Sequence, residues 1–265
     1  KISSIINIRS LLPDFNLPNG YWLDFEEDLQ SVKKELDHAK EKLNDDKSKE
    51  IFEKIINYRQ VGSLSDYPFP SLKDEYTPID LPRYKSPLKI IDCGAYTGVA
   101  IEKFENAGYE IEKVLAFEPD PENYKKLLLN ETKANLKIFL PLATHSDDEM
   151  LKFAADNGMG SKLDDDGELS VQVSKIDSIQ LGFNPNLIKF DVEGAEIDSL
   201  LGAKNTIKKF RPNLCVSAYH KPYHIFQIQN LLESWDLDYK FYLRVHEHNT
   251  FGTVLYCLQD NLLVS

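Results

Sequence analysis

Lys89-Ile-Ile-Asp-Cys-Gly-Ala-Tyr-Thr-Gly98 is the stretch that decides how this chain folds. Ile90 and Ile91 begin a short apolar strand that runs into an acid at Asp92, and the turn that follows is opened by Gly94 and closed by Gly98. Val99 to Asn106 then has a helical pattern, with apolar Val99, Ile101 and Phe104 set among charged residues. Strand, tight turn and helix in that order are how a doubly wound α/β sheet holds a nucleotide-like ligand at the carboxyl ends of its strands. A glycine in the turn lets backbone approach the ligand with no Cβ in the way, and the unpaired N–H groups of the helix start face the same space.

The spacing narrows the ligand. A dinucleotide turn reads Gly-x-Gly-x-x-Gly and seats a pyrophosphate on the helix N-terminus. Here Ala95, Tyr96 and Thr97 separate just two glycines, and Asp92 would repel a phosphate while suiting an ammonium. A nucleoside carrying an amino acid in place of phosphates fits this turn, as S-adenosylmethionine does.

Working outward, strands and helices alternate. Strands are expected at Leu88–Asp92, Lys113–Phe117, Leu136–Leu140, Leu187–Phe190 and Asn213–Ala218, and helices at Val99–Asn106, Pro121–Leu129 and Ala195–Lys208. Near-continuous apolar strands between amphipathic helices imply an α/β fold with a mostly parallel sheet covered on both faces. Tyr239–His246 and Thr253–Leu258 read as a hairpin closing one edge, and Asp164-Asp-Asp-Gly167 as a solvated loop or flap.

Chemistry-bearing residues gather at the strand ends. Glu118 closes the second strand 24 positions after Gly94, where a carboxylate can accept hydrogen bonds from both ribose hydroxyls. Pro119 stops that strand, and Asn123 lies on the next helix. Ala143 and Thr144, just past the third strand, are small enough to leave room for a flat ring such as adenine. In Lys189-Phe-Asp-Val-Glu-Gly-Ala-Glu196, the strand period of two puts Asp191 and Glu193 on the same side. Those two acids can fix a substrate hydroxyl, act as a general base or hold a divalent cation, whereas Glu193 and Glu196 also suit a helix N-terminus whatever the function. His220 follows the fifth strand at the same edge, with an imidazole suited to take a proton near neutral pH, and His224 reads as plain surface. His246 and His248 can face one way, as a metal pair would, but lack a third ligand.

Composition excludes several classes. The chain has 265 residues and a formal charge of -12, which argues against a nucleic-acid backbone as partner. No apolar run approaches the ~18 residues of a membrane span. The three cysteines, Cys93, Cys215 and Cys257, lie in apolar runs without a Cys-x-x-Cys spacing, which fits a reducing cytoplasm better than a disulfide or zinc framework. No basic and apolar leader is legible at the start.

Residues 1 to 86 differ from the rest. Helical stretches are expected at Ser3–Leu12, at about Asp24–Asn44 and at Asp46–Gln60, the last with an apolar stripe of Ile51, Phe52, Ile55 and Ile56 that reads as a docking face. Five prolines between Asp66 and Pro87 make the next stretch non-helical, an extended connection taken as the boundary before a domain at 87–265.

The set Asp92-Cys-Gly-Ala-Tyr-Thr-Gly98, Phe117-Glu-Pro119, Lys189-to-Glu196 and Arg211-Pro212 resembles the FkbM-type S-adenosylmethionine-dependent methyltransferases over about residues 88 to 258. Asp45–Gln60 and Asp74-Glu-Tyr76 look like the helical extension that some members carry. The resemblance implies a Rossmann-like seven-stranded sheet and O-methylation of a hydroxyl on a sugar or natural-product small molecule. It places Asp92, Gly94 and Gly98 around the methionine part of the cofactor, with Ala95 and Tyr96 also counted as cofactor-binding, and Glu118 on its ribose; Asp191 with Glu193 falls near the methyl transfer, and His220, a further catalytic candidate, where members often carry a His after the fifth strand. Tyr96 stands where members commonly carry Asn. The chain lacks the Asn/Asp-Pro-Pro-aromatic stretch of amino-group methylases, having Phe190-Asp-Val-Glu instead, which favours oxygen over nitrogen. A nicotinamide-dependent oxidoreductase or epimerase is the alternative enzyme, opposed by Asp92 and the missing third glycine. A non-catalytic binding protein on the same fold is the other alternative, and a homodimer through the N-terminal helices is a further expectation.

Overall fold

The computed structural model describes residues 31–61, 64–155, 160–179 and 182–264. The expected helix at Ser3–Leu12 and the start of the next lie outside them. A seven-stranded sheet runs β10-β11-β9-β8-β1-β2-β3, with β1 Leu88–Cys93, β2 Ile111–Phe117, β3 Leu136–Leu140, β8 Leu187–Phe190, β9 Asn213–Ser217, β10 Lys240–Val245 and β11 Thr253–Leu258. The first five of these are mutually parallel, and β11 is antiparallel to both of its neighbours. The order reverses at β1, so the connections that leave the paired strands β1 and β8 run to opposite sides and leave a crevice at their carboxyl ends.

Burial on both faces explains the apolar runs. Along β1, Ile91 and Cys93 join one hydrophobic cluster while Leu88 and Ile90 join the other, and along β2 Leu115 and Phe117 alternate with Val114 and Ala116 in the same way. On the first face lie helices α1 Lys33–Glu41 and α2 Asp46–Val61, whose Leu36, Ala39, Phe52 and Ile55, with Leu43 between the helices, share the cluster with Phe241, Leu243 and Val245 of β10. The apolar stripe of α2 thus docks on this chain's own sheet. Arg244 fastens the junction, reaching Asp45 at 2.6 Å and Asp80 at 2.9 Å. No helix among the described residues is long and apolar enough to cross a membrane.

The Pro-rich stretch is non-helical, as expected, yet it is no loose connection. Tyr76, Leu81 and Tyr84 are buried with Phe104 and Tyr109 in the second cluster, and Ser71, Lys85 and Val264 exchange backbone hydrogen bonds across the sheet edge with Val245, Leu262 and Arg83. The aromatic residues between the prolines supply apolar area that the stretch buries against helix α3, Val99–Asn106.

Three further features differ from the sequence reading. Asp164–Gly167 is a turn inside a second, four-stranded sheet, β4-β7-β5-β6, formed by Ala143–Thr144, Leu169–Ser174, Glu149–Ala154 and Lys162–Leu163. These strands are short and half exposed, so their apolar signal is faint. The helix expected over Ala195–Lys208 is two: after α4 Pro121–Leu127 and α5 Ile176–Ile179 come α6 Glu196–Gly202 and α7 Lys204–Phe210, broken at Ala203. At the break Gly202 passes so close to β4 that a Cβ on it would sit 1.9 Å from the carbonyl oxygen of His145. Finally, α8 His224–Glu233 buries His224 rather than leaving it at the surface.

Candidate active site

The turn after β1 is built as its glycines suggest. The N–H groups of Gly94 and Ala95 both donate to the carbonyl oxygen of Phe117, at 3.0 and 2.9 Å, folding the chain back over the end of β2. Gly94 has φ +74°, and a Cβ there would lie 1.9 Å from the carbonyl oxygen of Asp191. The ends of β1 and β8 can therefore approach only with glycine at this place. Tyr96, also at positive φ, donates its N–H to Glu118 Oε2 at 2.7 Å, and Asp120 donates its N–H to Oε1 at 2.9 Å. Burial pushes the Glu118 carboxyl up to about 7 despite these two donors. Asp120 caps α4 and accepts a 3.0 Å hydrogen bond from Ser161, which ties the small sheet to the site.

Gly94, Ala95, Tyr96, Glu118, Pro119, Asn123, Ala143, Thr144, Asp191 and Glu193 line one cleft of about 1120 Å³, open mouth included. Asp92, Gly98 and His220 do not line it. The Asp92 carboxylate meets an ammonium from within the chain, Lys189 Nζ at 3.1 Å, rather than from a ligand. Lys189 also donates to the carbonyl oxygen of Gly94 at 2.7 Å and lies 3.6 Å from Asp191 Oδ2. Burial disfavours its charge, but Asp92 and Asp191 outweigh that and hold it protonated. Gly98, at φ +92°, ends the turn against Asn130, so its role is conformational.

Behind the cleft the acids and histidines interlock. Tyr76 Oη donates to Asp191 Oδ2 at 2.9 Å. Burial pushes the Asp191 carboxyl up, but Lys189 and His220 more than offset this and leave it below the usual range. Glu196 Oε1 accepts from the N–H of Val192 at 3.0 Å and lies 2.8 Å from His220 Nδ1, while Oε2 lies 3.0 Å from His224 Nδ1. Glu196 therefore caps its own turn and also anchors two histidines. His220 Nε2 lies 3.3 Å from Glu193 and 3.8 Å from Asp191. Burial opposes its charge, yet Glu196 and Glu193 raise it well above the usual imidazole range. An imidazolium is a proton donor to its neighbours, and in that state His220 orients the two acids from behind the cleft, which it does not line. The same polarity makes Asp191, Glu193 and His220 a poor donor set for a divalent cation, and among the described residues no group of three or more His, Cys, Asp or Glu is placed to hold a metal. His246 and His248 are not a pair either: His246 bonds Ser71 and Tyr256, and His248 bonds Tyr67.

Residues 92–244 match the sequence signature described as the methyltransferase FkbM domain. The chain belongs to the FkbM methyltransferase family. The crystal structure of the methyltransferase FkbM from Methylobacillus flagellatus KT shares the fold, with a TM-score of 0.73 and 23% identity over 86% of this chain and 59% of that one. This chain thus spans less than two thirds of that protein's length. Aeropyrum pernix fibrillarin, solved with natively bound S-adenosyl-L-methionine, gives a TM-score of 0.39 at 10% identity over 68% of this chain and 70% of that one, too slight a likeness to argue from. No curated protein matches the sequence.

Several walls of the cleft in this FkbM-family chain were not foreseen from sequence. Glu75 and Tyr76 come from the Pro-rich stretch, Lys103 from α3, Phe153, Ser161, Lys162 and Leu163 from the small sheet, Tyr219 from the end of β9, and Glu247 and Phe251 from the β10–β11 loop. Glu75, Tyr76, Glu247 and Phe251 lie outside the span that carries the family signature. Lys189 stood in the quoted motif, and its place between two acids two and ninety-seven residues away is the signal that was available. The β10–β11 loop is held from α2: buried Arg59 donates to the carbonyl oxygen of Pro222 at 3.1 Å and to Thr250 Oγ1 at 3.4 Å, across a backbone in which Thr250 has φ +65°. A β-branched residue at that φ is strained, and it persists because its surroundings hold it.

Proposed function

We propose that the protein is an S-adenosylmethionine-dependent O-methyltransferase that acts on a hydroxyl of a sugar or natural-product small molecule. The observation that carries this reading is the buried Glu118 carboxylate beside the Gly94–Tyr96 turn, in one cleft with Asp191. A carboxylate pushed up to about 7 by burial gains from two further donors, and a ribose diol supplies them. The close backbone at Gly94 and the small Ala143 and Thr144 fit the rest of the same ligand. Asp92 does not serve its ammonium group, because Lys189 already occupies that carboxylate.

When bound, S-adenosylmethionine supplies a methyl group on a positively charged sulfur, which leaves with the bonding electron pair as the new O–CH3 bond forms. The chain has two tasks: to aim the acceptor oxygen and to take its proton. Asp191 is the base in this reading. Tyr76 and Lys189 engage its Oδ2, and the carboxylate lines the cleft, where it takes the hydroxyl proton. His220, held as a cation, keeps Asp191 and Glu193 in place.

Calorimetric titration with S-adenosylmethionine and S-adenosylhomocysteine, with NAD as control, tests the ligand. Micromolar binding of both that Glu118→Ala weakens about 30-fold or more is expected; binding of NAD instead would overturn the reading. Asp191→Asn is expected to keep that binding and lose methyl transfer to any hydroxylated acceptor found by screening.

A further inference from the structure

The far end of the cleft holds two polar groups that no described residue satisfies. Tyr219 is 6% exposed and lines the cleft, yet its hydroxyl makes no hydrogen bond among the described residues. Its ring lies 4.4 Å from that of Phe251 and 4.0 Å from His220, centroid to centroid. A phenol that opens on a cavity with no partner from the chain can donate to and accept from a molecule that enters. The Glu247 carboxylate, on the same loop as Phe251, stands exposed at the rim and makes no ion pair or hydrogen bond among the described residues.

A second cavity of about 1000 Å³, open mouth included, shares Glu75, Lys103, Glu247 and Phe251 with the first. The two form one path away from Asp191. Charges along it are unevenly matched. Lys103 pairs with Glu75, Lys189 serves Asp92 and Asp191, and His220 serves Glu193 and Glu196, so among these acids Glu247 makes no direct ion pair with a described residue. Lys73 and His248 on the outer rim are exposed, and His246 faces Ser71 and Tyr256. Burial, and then Glu75 and Asp191 nearby, raise the Glu247 carboxyl against the lowering pull of Lys103 and His248.

We propose that this end of the cleft is the acceptor subsite and that it takes a hydroxyl-bearing amine as its ammonium ion, held by the Glu247 carboxylate, the Tyr219 hydroxyl and the face of Phe251. A carboxylate, an aromatic face and a lone phenol are together the chemistry that selects an alkylammonium over a neutral amide. An amino sugar is the simplest molecule that carries both the ammonium and hydroxyls. The inference rests on the methyltransferase reading for the direction of the acceptor and deepens it.

The test titrates the full chain with the trisaccharide of glucosamine and with its N-acetylated counterpart, each in the presence and absence of S-adenosylhomocysteine. The free amine is expected to bind at least about tenfold more tightly, and Glu247→Gln and Tyr219→Phe to remove most of that preference. Melting curves establish that the variants are folded. Equal affinity for the two sugars, binding of neither, or a preference that survives Glu247→Gln overturns the proposal. Failure of S-adenosylhomocysteine to bind strikes the methyltransferase reading instead, since the amine preference is also measured without it.

Discussion

On the turn side of the cleft, Tyr96 and Glu118 meet across 22 residues of sequence, whereas on the far side Tyr76 reaches Asp191 across 115 and Arg59 reaches Thr250 across 191. The turn side is one continuous run, β1 to α4, whose backbone makes its own hydrogen bonds. The far side is assembled from the Pro-rich stretch, the end of β9 and the β10–β11 loop, each positioned by packing on something distant. A site that binds a common group with local backbone and an individual one with assembled loops can change its acceptor without disturbing the first half.

The sharpest test of that division lies at the joint between the halves. Lys189 touches Asp92 and Gly94 on one side and Asp191 on the other. Stripping the cation from a buried ion cluster leaves uncompensated carboxylates and costs about 3–5 kcal/mol. Lys189→Met is expected to lose that much in urea unfolding at neutral pH, and less in acid, where Asp92 and Asp191 can take protons. A loss below about 1 kcal/mol would mean the halves are not joined here.

Gly94→Ala comes next. Its positive φ and its approach to the Asp191 carbonyl predict a cost of about 2–4 kcal/mol and loss of the adenosyl ligand, read by melting and calorimetry. A variant that melts like the wild type would remove the close approach from the account.

Glu118 gives the turn side a pH signature. Its folded carboxyl, raised to about 7 from the usual 4.5, binds a proton more tightly than the unfolded chain does. Stability without ligand should therefore fall as pH rises from 4.5 to 7, by at most roughly 3 kcal/mol. Affinity for a diol that donates to the carboxylate should rise over the same window. Glu118→Gln should flatten both curves, and a variant that keeps the slope would assign the titration elsewhere.

The far side should respond more gently. Tyr76→Phe removes one hydrogen bond to a charged partner, about 1.5–3 kcal/mol at most, and is expected to slow methyl transfer about tenfold while leaving the adenosyl ligand's affinity alone. Arg59 is the mildest case for stability. Its guanidinium is buried, has no carboxylate partner among the described residues, and burial lowers it to about 9, so Arg59→Met should change stability by less than about 1 kcal/mol. Its effect should appear instead as faster amide exchange across residues 249–252. Unchanged exchange would show that the loop holds itself.

The difference between the halves is also the difference in what sequence reveals. Gly94, Glu118 and Asp191 were legible because period-two burial marks the strands and function collects where strands end. Asp92 was placed in the right element but its ion pair was not foreseen, because Lys189 belongs to a strand ninety-seven residues on and meets it through the parallel pairing of β1 with β8. His220 was found at the right edge, but its contacts with Glu193 and Glu196, which favour its charged form, exist only once those acids close around it in three dimensions. Tyr76, Tyr219, Glu247 and Phe251 carried no local signal: each is an ordinary residue in a stretch whose period says nothing of a ligand.

By itself the sequence determined the alternation of strands and helices, the turn at Gly94 and the acids that end β2 and β8. Local backbone chemistry and burial period decide such features, and both are written in neighbouring residues. Tertiary structure alone decided which buried charge answers which, and which distant loops close the far end of the cleft. Those depend on through-space contact between residues that sequence order leaves far apart, where an ion pair or an unmatched carboxylate exists only once the sheet has brought its members together.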